Sequence, residues 1–232
     1  MMPDTQLHAL TAIPFVYDET TLLAKLHLTP DTDDAEEFLA LLRRANHVAR
    51  PKALVKECFV ETRTDQTVTI DGITFTSRTL AGHLASVHRV FAYVATCGRE
   101  LDELAAEGTD DPLLQFWLDE IKAVSLRSAM QYLGELFQQL LPGKSSGMSP
   151  GSGDARLWPI TQQTPLFQLL GDVTGHTGAR LTESLLMLPN KTVSGIRFPT
   201  ESDFRSCQLC RREACPNRSA PLDAARYDAL MS

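Results

Sequence analysis

Asp71-Gly72 stands between two short runs that alternate apolar and polar residues, Thr67-Val68-Thr69-Ile70 and Ile73-Thr74-Phe75. A two-residue Asp-Gly connection suits a turn with positive φ at both positions, whose twist matches that of paired strands, so the chain is expected to double back as a hairpin. Residues 53–61 (ALVKECFVE) also read as a strand, and Val90-Phe91-Ala92-Tyr93-Val94-Ala95 is an apolar run of strand length entering a tight turn at Thr96-Cys97-Gly98. Further strands are expected around Leu181-Thr182 and Val193-Ser194-Gly195-Ile196.

Helical periodicity fills the intervals. After Thr29-Pro30-Asp31, the residues Phe38, Leu39, Leu41, Leu42 and Ala45 recur at helical spacing until Arg50-Pro51. Shorter helices are expected at Thr79–Val87, Arg99–Glu107 and Thr164–Gly171. Asp110-Asp111-Pro112 supplies an N-cap and an N1 proline for the longest helix, whose stripe runs through Trp117, Leu118, Ile121, Val124, Leu133 and Phe137. Residues 142–153 (PGKSSGMSPGSG) read as loop. Helices intermixed with hairpin-linked strands predict an α+β fold with a largely antiparallel sheet and packing helices over residues 1–203, followed by a cysteine-rich tail at 204–232.

A formal net charge of −7 opposes a nucleic-acid partner, because a phosphate backbone demands surplus Lys and Arg. No run approaches the roughly 20 apolar residues of a membrane helix, and the first residues lack a signal-peptide layout. A cytoplasmic protein without a membrane partner is expected. Gly143-Lys144-Ser145 imitates a phosphate loop, but the leading glycine position is Gln138 and a helix precedes it. Glu100, Asp102, Glu103 and Glu107 read as a solvated helix face.

Three of the five cysteines, Cys207, Cys210 and Cys215, fall within nine residues. The C-x2-C pair puts two thiolates on one turn, and the third can close a face of a zinc site or an iron–sulfur cluster. Cys58 and Cys97 are distant, and either is a candidate to fold back as the fourth ligand. A reducing compartment lowers the disulfide alternative. Arg205, Arg211, Arg212 and Arg218 around the array would balance thiolate charge or form a solvated basic surface.

The segment from Met148 to Phe198 resembles the activation domain of vitamin B12-dependent methionine synthase and its free-standing relatives. The resemblance lies in Ser149-Pro150-Gly151-Ser152-Gly153-Asp154, Thr164-Pro165-Leu166-Phe167-Gln168-Leu169-Leu170, Leu181-Thr182-Glu183-Ser184 with Met187-Leu188-Pro189, and Val193-Ser194-Gly195. It implies a curved α+β domain that binds S-adenosylmethionine in a shallow groove and docks over a corrinoid protein for reductive methylation of cob(II)alamin. No D-x-H-x-x-G that would ligate cobalt is present, so cobalamin would be carried by a separate partner, a corrinoid protein or B12-dependent methyltransferase.

The departures from the family are as informative. Its loop reads R-x-x-P-G-Y; here Pro150 and Gly151 are kept, while Gly147 and Ser152 replace the arginine and tyrosine. Arg127 falls where the family has a glutamate, and Arg205 and Ser206 fall near its tyrosine pair. Lys144 is the candidate substitute for the missing arginine, and the cofactor-binding candidates are therefore Pro150, Gly151, Ser152, Lys144 and Arg127. Losing a bidentate cation and an aromatic contact predicts weak S-adenosylmethionine binding.

Two functions follow. In the first, the chain is an accessory protein for reductive reactivation of a corrinoid methyltransferase, with an iron–sulfur centre at Cys207, Cys210 and Cys215 and with Cys97 as fourth ligand. In the second, a zinc ion clamps the tail onto a non-catalytic interaction module with a degenerate groove.

Overall fold

The computed structural model describes residues 6–106, 111–202, 204–215 and 218–231. Strand β1 (Leu7–Leu10) leads through α1 (Glu19–Lys25) and α2 (Asp33–Val48) to the long strand β2 (Lys52–Arg63), then β3 (Thr67–Ile70) and β4 (Ile73–Thr76). Next come α3 (Arg78–His83), β5 (Arg89–Thr96), α4 (Glu100–Ala106) and α5 (Pro112–Leu140). The remainder holds β6 (Ser145–Met148), α6 (Gln163–Leu170), α7 (Val173–Thr177), a ribbon of β7 (Arg180–Leu181) and β8 (Met187–Leu188), β9 (Thr192–Pro199) and α8 (Ala224–Met231). Single 3-10 turns lie at Ile160–Gln162 and Ser206–Leu209.

The main sheet runs β4-β3-β2-β5-β9-β6, with β1 beside the first half of β2, and every pairing is antiparallel. The Asp71-Gly72 hairpin forms as expected: Ile70 pairs with Ile73, and both turn residues have positive φ (44° and 77°). Asp71 also accepts a hydrogen bond from Phe59 N at 2.9 Å, which ties the hairpin to β2.

Strand alternation sends side chains to two different cores. Ala53, Val55, Phe91 and Ala95 pack beneath Ala129, Leu133 and Phe137 of α5. That layer continues into a second cluster in which α2 and the first half of α5 meet, with Phe38 edge-on to Trp117. Leu54, Cys58, Val90, Ala92, Val94, Ile196 and Phe198 point the other way, toward α3, α6 and α7. Asp111 caps α5, accepting from Leu113 N at 2.8 Å, and Pro112 begins the helix; Asp110 and Glu107 lie outside the described residues. Thr32 caps α2. Among the described residues no helix is long and apolar enough to cross a membrane.

Two elements depart from the sequence reading. The helix expected over Thr79–Val87 stops at His83, because Arg63 takes the carbonyls of Leu84, at 2.7 Å, and Val87. The expected loop at 142–153 contains β6, an edge strand paired with β9 from Ser145↔Pro199 to Met148↔Ile196. Its Ser146 hydroxyl also donates to Phe204 O at 2.7 Å, so tertiary pairing overrides a Ser- and Gly-rich composition. The tail, for its part, packs against the domain. Phe204 (3% exposed), Leu209 (1%) and Tyr227 (1%) belong to the same core as Trp158, Leu166 and Phe198.

Candidate functional site

Pro150 and Gly151 sit at the centre of a tight turn closed by Ser152 N donating to Ser149 O at 3.1 Å. Gly151 has φ +74°, the left-handed value that such a turn requires at its third residue, with proline favoured just before it. Its N–H donates to Trp158 O at 2.8 Å, and a Cβ there would lie 2.5 Å from Ile160 Cδ1. Trp158 is buried edge-on against Phe75, so the core positions this turn. Asp154, at its end, accepts from Arg156 and from the Tyr227 hydroxyl; these bonds hold its carboxyl well below the usual range and join the loop to α8.

Beside the turn, at the exposed edge where β6 meets β9 and the tail, lies a cleft of about 510 Å³. Lys144, Gly147, Arg197, Arg205, Ser206 and Cys207 are among its lining residues. Arg197 points from β9 across Gly147: a Cβ at 147 would be 3.5 Å from Arg197 Cδ and 3.6 Å from Nη1. Its Nε donates to Ser145 Oγ at 3.1 Å, its guanidinium lies 5.8 Å from the Phe137 ring centroid, and burial lowers its pKa. The Ser206 hydroxyl donates to Gly147 O at 2.8 Å, and Arg205 Nη1 to Ser219 O at 3.3 Å. The tail is thereby fastened over the strand edge.

The fold thus brings Lys144, Gly147, Arg205 and Ser206 together. Pro150, Gly151 and Ser152 lie on the adjoining turn, outside the cleft lining, with Pro150 buried and the other two exposed. Arg127 does not join them. It is exposed on α5, outside the cleft lining, in line with the exposed Phe116 (53%) and Met130 (36%). Arg197 escaped the sequence reading, and the signal was a lone arginine interrupting the apolar run of β9.

The cysteines do not converge. Cys207 Sγ faces the cleft and accepts from Ser219 N and Oγ, each at 3.4 Å, which lowers its pKa. Cys210 packs beside Gly153 and lines a different depression with Arg211 and Arg218. The centre of this loop is the Arg218 guanidinium, which donates to the carbonyls of Cys207 (3.1 Å), Cys210 (2.9 Å) and Ala220 (3.1 Å). Among the described residues no group of three or more His, Cys, Asp or Glu side chains is placed to hold a metal ion; Pro216, which follows Cys215, lies outside them.

Cys97 lies apart from the tail cysteines. It is buried in the core under α2 and α5, and its N–H donates to Lys191 O beyond the Thr192 end of β9. Cys207 lies near the strand's Arg197 end, so the separation is roughly 17 Å at the rise of a strand. As placed among the described residues, these side chains form no group that would hold an iron–sulfur cluster or a closed zinc site. Burial pushes the Cys58 and Cys97 thiols up to about 12. Thiol titration of the native protein at pH 8 should therefore find three fast-reacting groups, rising to five in guanidinium. Protection of the tail thiols in metal-free buffer would contradict this arrangement.

A titrating group lies just behind the cleft. His83 stacks on Phe204 at 3.9 Å and on Phe198 at 5.8 Å. Burial first, and Arg226 second, lower its pKa from 6.5 to about 4. The unfolded chain therefore binds more protons between pH 6.5 and 4, and this group's contribution to stability is lost as pH falls through that window. The fall in melting temperature over this range should shrink in His83→Phe; an unchanged profile would contradict the assignment.

No protein-family model matches this chain, and no curated protein matches it. A solved structure does: the crystal structure of the MetH reactivation domain bound to AdoHcy, with a TM-score of 0.57 at 19% identity, covering 86% of this chain and 80% of that one. The order of elements, the antiparallel sheet and the helices packed on both faces are thus the fold of the MetH reactivation domain.

Proposed function

We propose that this chain is an accessory protein for the reductive reactivation of a separate corrinoid protein, on whose cobalamin-bearing face it docks. The observation that supports this reading is the fold shared with the reactivation domain over most of both chains; the cleft lies beside the loop that the resemblance assigns to ligand and is lined by one of its positions, Gly147. Fold alone does not establish function; Gly147 and Arg205–Ser206, far apart in sequence, line one cleft. The corrinoid and a methyl donor supply the chemistry when bound, and this chain supplies position.

S-adenosylmethionine is expected to bind weakly, since Gly147 and Ser152 offer neither the guanidinium nor the ring of the family loop. The tail thiols carry no step in this reading, and a zinc-clamped module finds no converging ligand set to favour it. Sedimentation velocity of the full chain with a purified cob(II)alamin-state corrinoid methyltransferase from the same organism provides the test. A co-sedimenting complex is expected. Independent sedimentation with every such corrinoid protein would contradict the reading.

A further inference from the structure

Two of the tail cysteines flank a single turn. Cys210 N donates to Cys207 O at 3.2 Å, a bond between residues three apart that closes the 3-10 turn Ser206–Leu209. Residues bonded in this way hold their Cα atoms less than about 7 Å apart, a span that a disulfide can close. Positions three apart on a 3-10 turn also lie over one another, on one side of the backbone. The Arg218 guanidinium then fixes both ends of the turn, with Nη1 donating to Cys207 O at 3.1 Å and Nη2 to Cys210 O at 2.9 Å. A planar fork set across these two carbonyls holds the backbone in the form that brings the pair within reach, leaving mainly side-chain rotation for the sulfurs to meet.

The two sulfurs are not equivalent. Cys207 lines the cleft of about 510 Å³, where a solute can reach it, and Ser219 aims two donors at its Sγ, N and Oγ, each at 3.4 Å. Cys210 is half-buried against Gly153, where a Cβ would lie 4.0 Å from its Sγ. That arrangement suits Cys207 as the sulfur that attacks first and Cys210 as the one that resolves. We propose that Cys207 and Cys210 form a redox-active pair that exchanges with small-molecule disulfides of the glutathione class. Cys207 Sγ attacks one sulfur of the disulfide and expels the other, which leaves as a thiol with the proton that Cys207 gives up. Cys210 Sγ then attacks Cys207 Sγ, forms the bond between them and expels the second thiol with the proton from Cys210. Two protein thiols are oxidised and one disulfide is reduced to two thiols, so no further oxidant enters. Closure withdraws Cys207 Sγ from Ser219 and Cys210 Sγ from Gly153, so the redox state reaches both the cleft wall and the turn after Pro150. It stands independently of the corrinoid reading, because no partner takes part in the exchange.

Equilibration of the reduced full chain with mixtures of oxidised and reduced glutathione tests it, followed by acid quenching, alkylation and tryptic peptide mass. Both cysteines fall in one peptide, Ser206–Arg211, between the cleavage sites at Arg205 and Arg211, so a closed pair appears as that peptide lighter by two hydrogens. The closed peptide is expected in the wild type and in Cys215→Ser, whereas Cys210→Ser should instead accumulate glutathione on Cys207. The native chain should close at a proportion of oxidised glutathione more than about tenfold lower than the same chain in guanidinium, and Arg218→Gln should lose most of that advantage, by the usual worth of hydrogen bonds from a charged group. If Arg218→Gln fails to fold, the comparison of native with unfolded wild type carries the test. Equal closure in the native and unfolded chains, or a bond from Cys207 to Cys215 in preference to Cys210, would overturn the proposal.

Discussion

Phe204→Ala should destabilise the protein by about 3–5 kcal/mol, the usual cost of deleting a buried aromatic ring. Phe204 is almost fully buried, stacks on His83 at 3.9 Å and carries the Arg226 guanidinium 4.8 Å from its ring centroid. It is also where the chain leaves β9 to become the tail, so its loss should free α8 as well as open a cavity. Urea melts would read the stability, and limited proteolysis would show earlier cutting after residue 204. Phe204→Leu, which keeps an apolar group in the site, should lose markedly less. Adding zinc or iron should restore neither variant, because packing fastens the tail and the thiols do not converge. Rescue by metal would reverse that conclusion.

Gly195→Ala should cost about 3 kcal/mol, the upper part of the range for overpacking a filled core, and should abolish ligand binding in the cleft. A Cβ at 195 would lie 2.6 Å from Met148 O, 2.8 Å from Ser149 Oγ and 2.9 Å from the Tyr93 hydroxyl. The nearest of these is backbone, which cannot rotate away. Tyr93 reaches from β5 over this glycine to hydrogen-bond Ser149, so one added methyl would push β6 from the sheet and displace the cleft wall. The glycine of Val193-Ser194-Gly195 is there because β5, β9 and β6 close over it. Wild-type stability in Gly195→Ala would show that the edge strand yields freely.

Local signals were the legible ones. The Asp71-Gly72 turn, the Asp111-Pro112 start of α5 and its apolar stripe each depend on neighbours within a few residues, and each forms where the pattern places it. β6 was not legible, because Ser145-Ser146-Gly147-Met148 has little strand character of its own and exists through β9 and Phe204 O. The site divides the same way. The Pro150-Gly151 turn is a local feature, whereas the cleft joins Lys144 and Gly147 to Arg197 and Arg205 across some fifty residues of chain. Cysteine spacing suggested metal, yet spacing does not aim side chains. Arg218 bonds the carbonyls of Cys207 and Cys210, and the two residues line different depressions.

The measurement closest to the central claim is the rate at which a cob(II)alamin-state corrinoid methyltransferase recovers its methylated form, followed optically with reductant and methyl donor present, with and without this chain. Faster recovery is expected with the wild-type protein, and equally with the folded Cys207→Ser/Cys210→Ser/Cys215→Ser variant. No acceleration by the wild-type chain would contradict the reactivation role, and acceleration lost only in the triple variant would contradict the account of a cleft and fold acting without a metal centre.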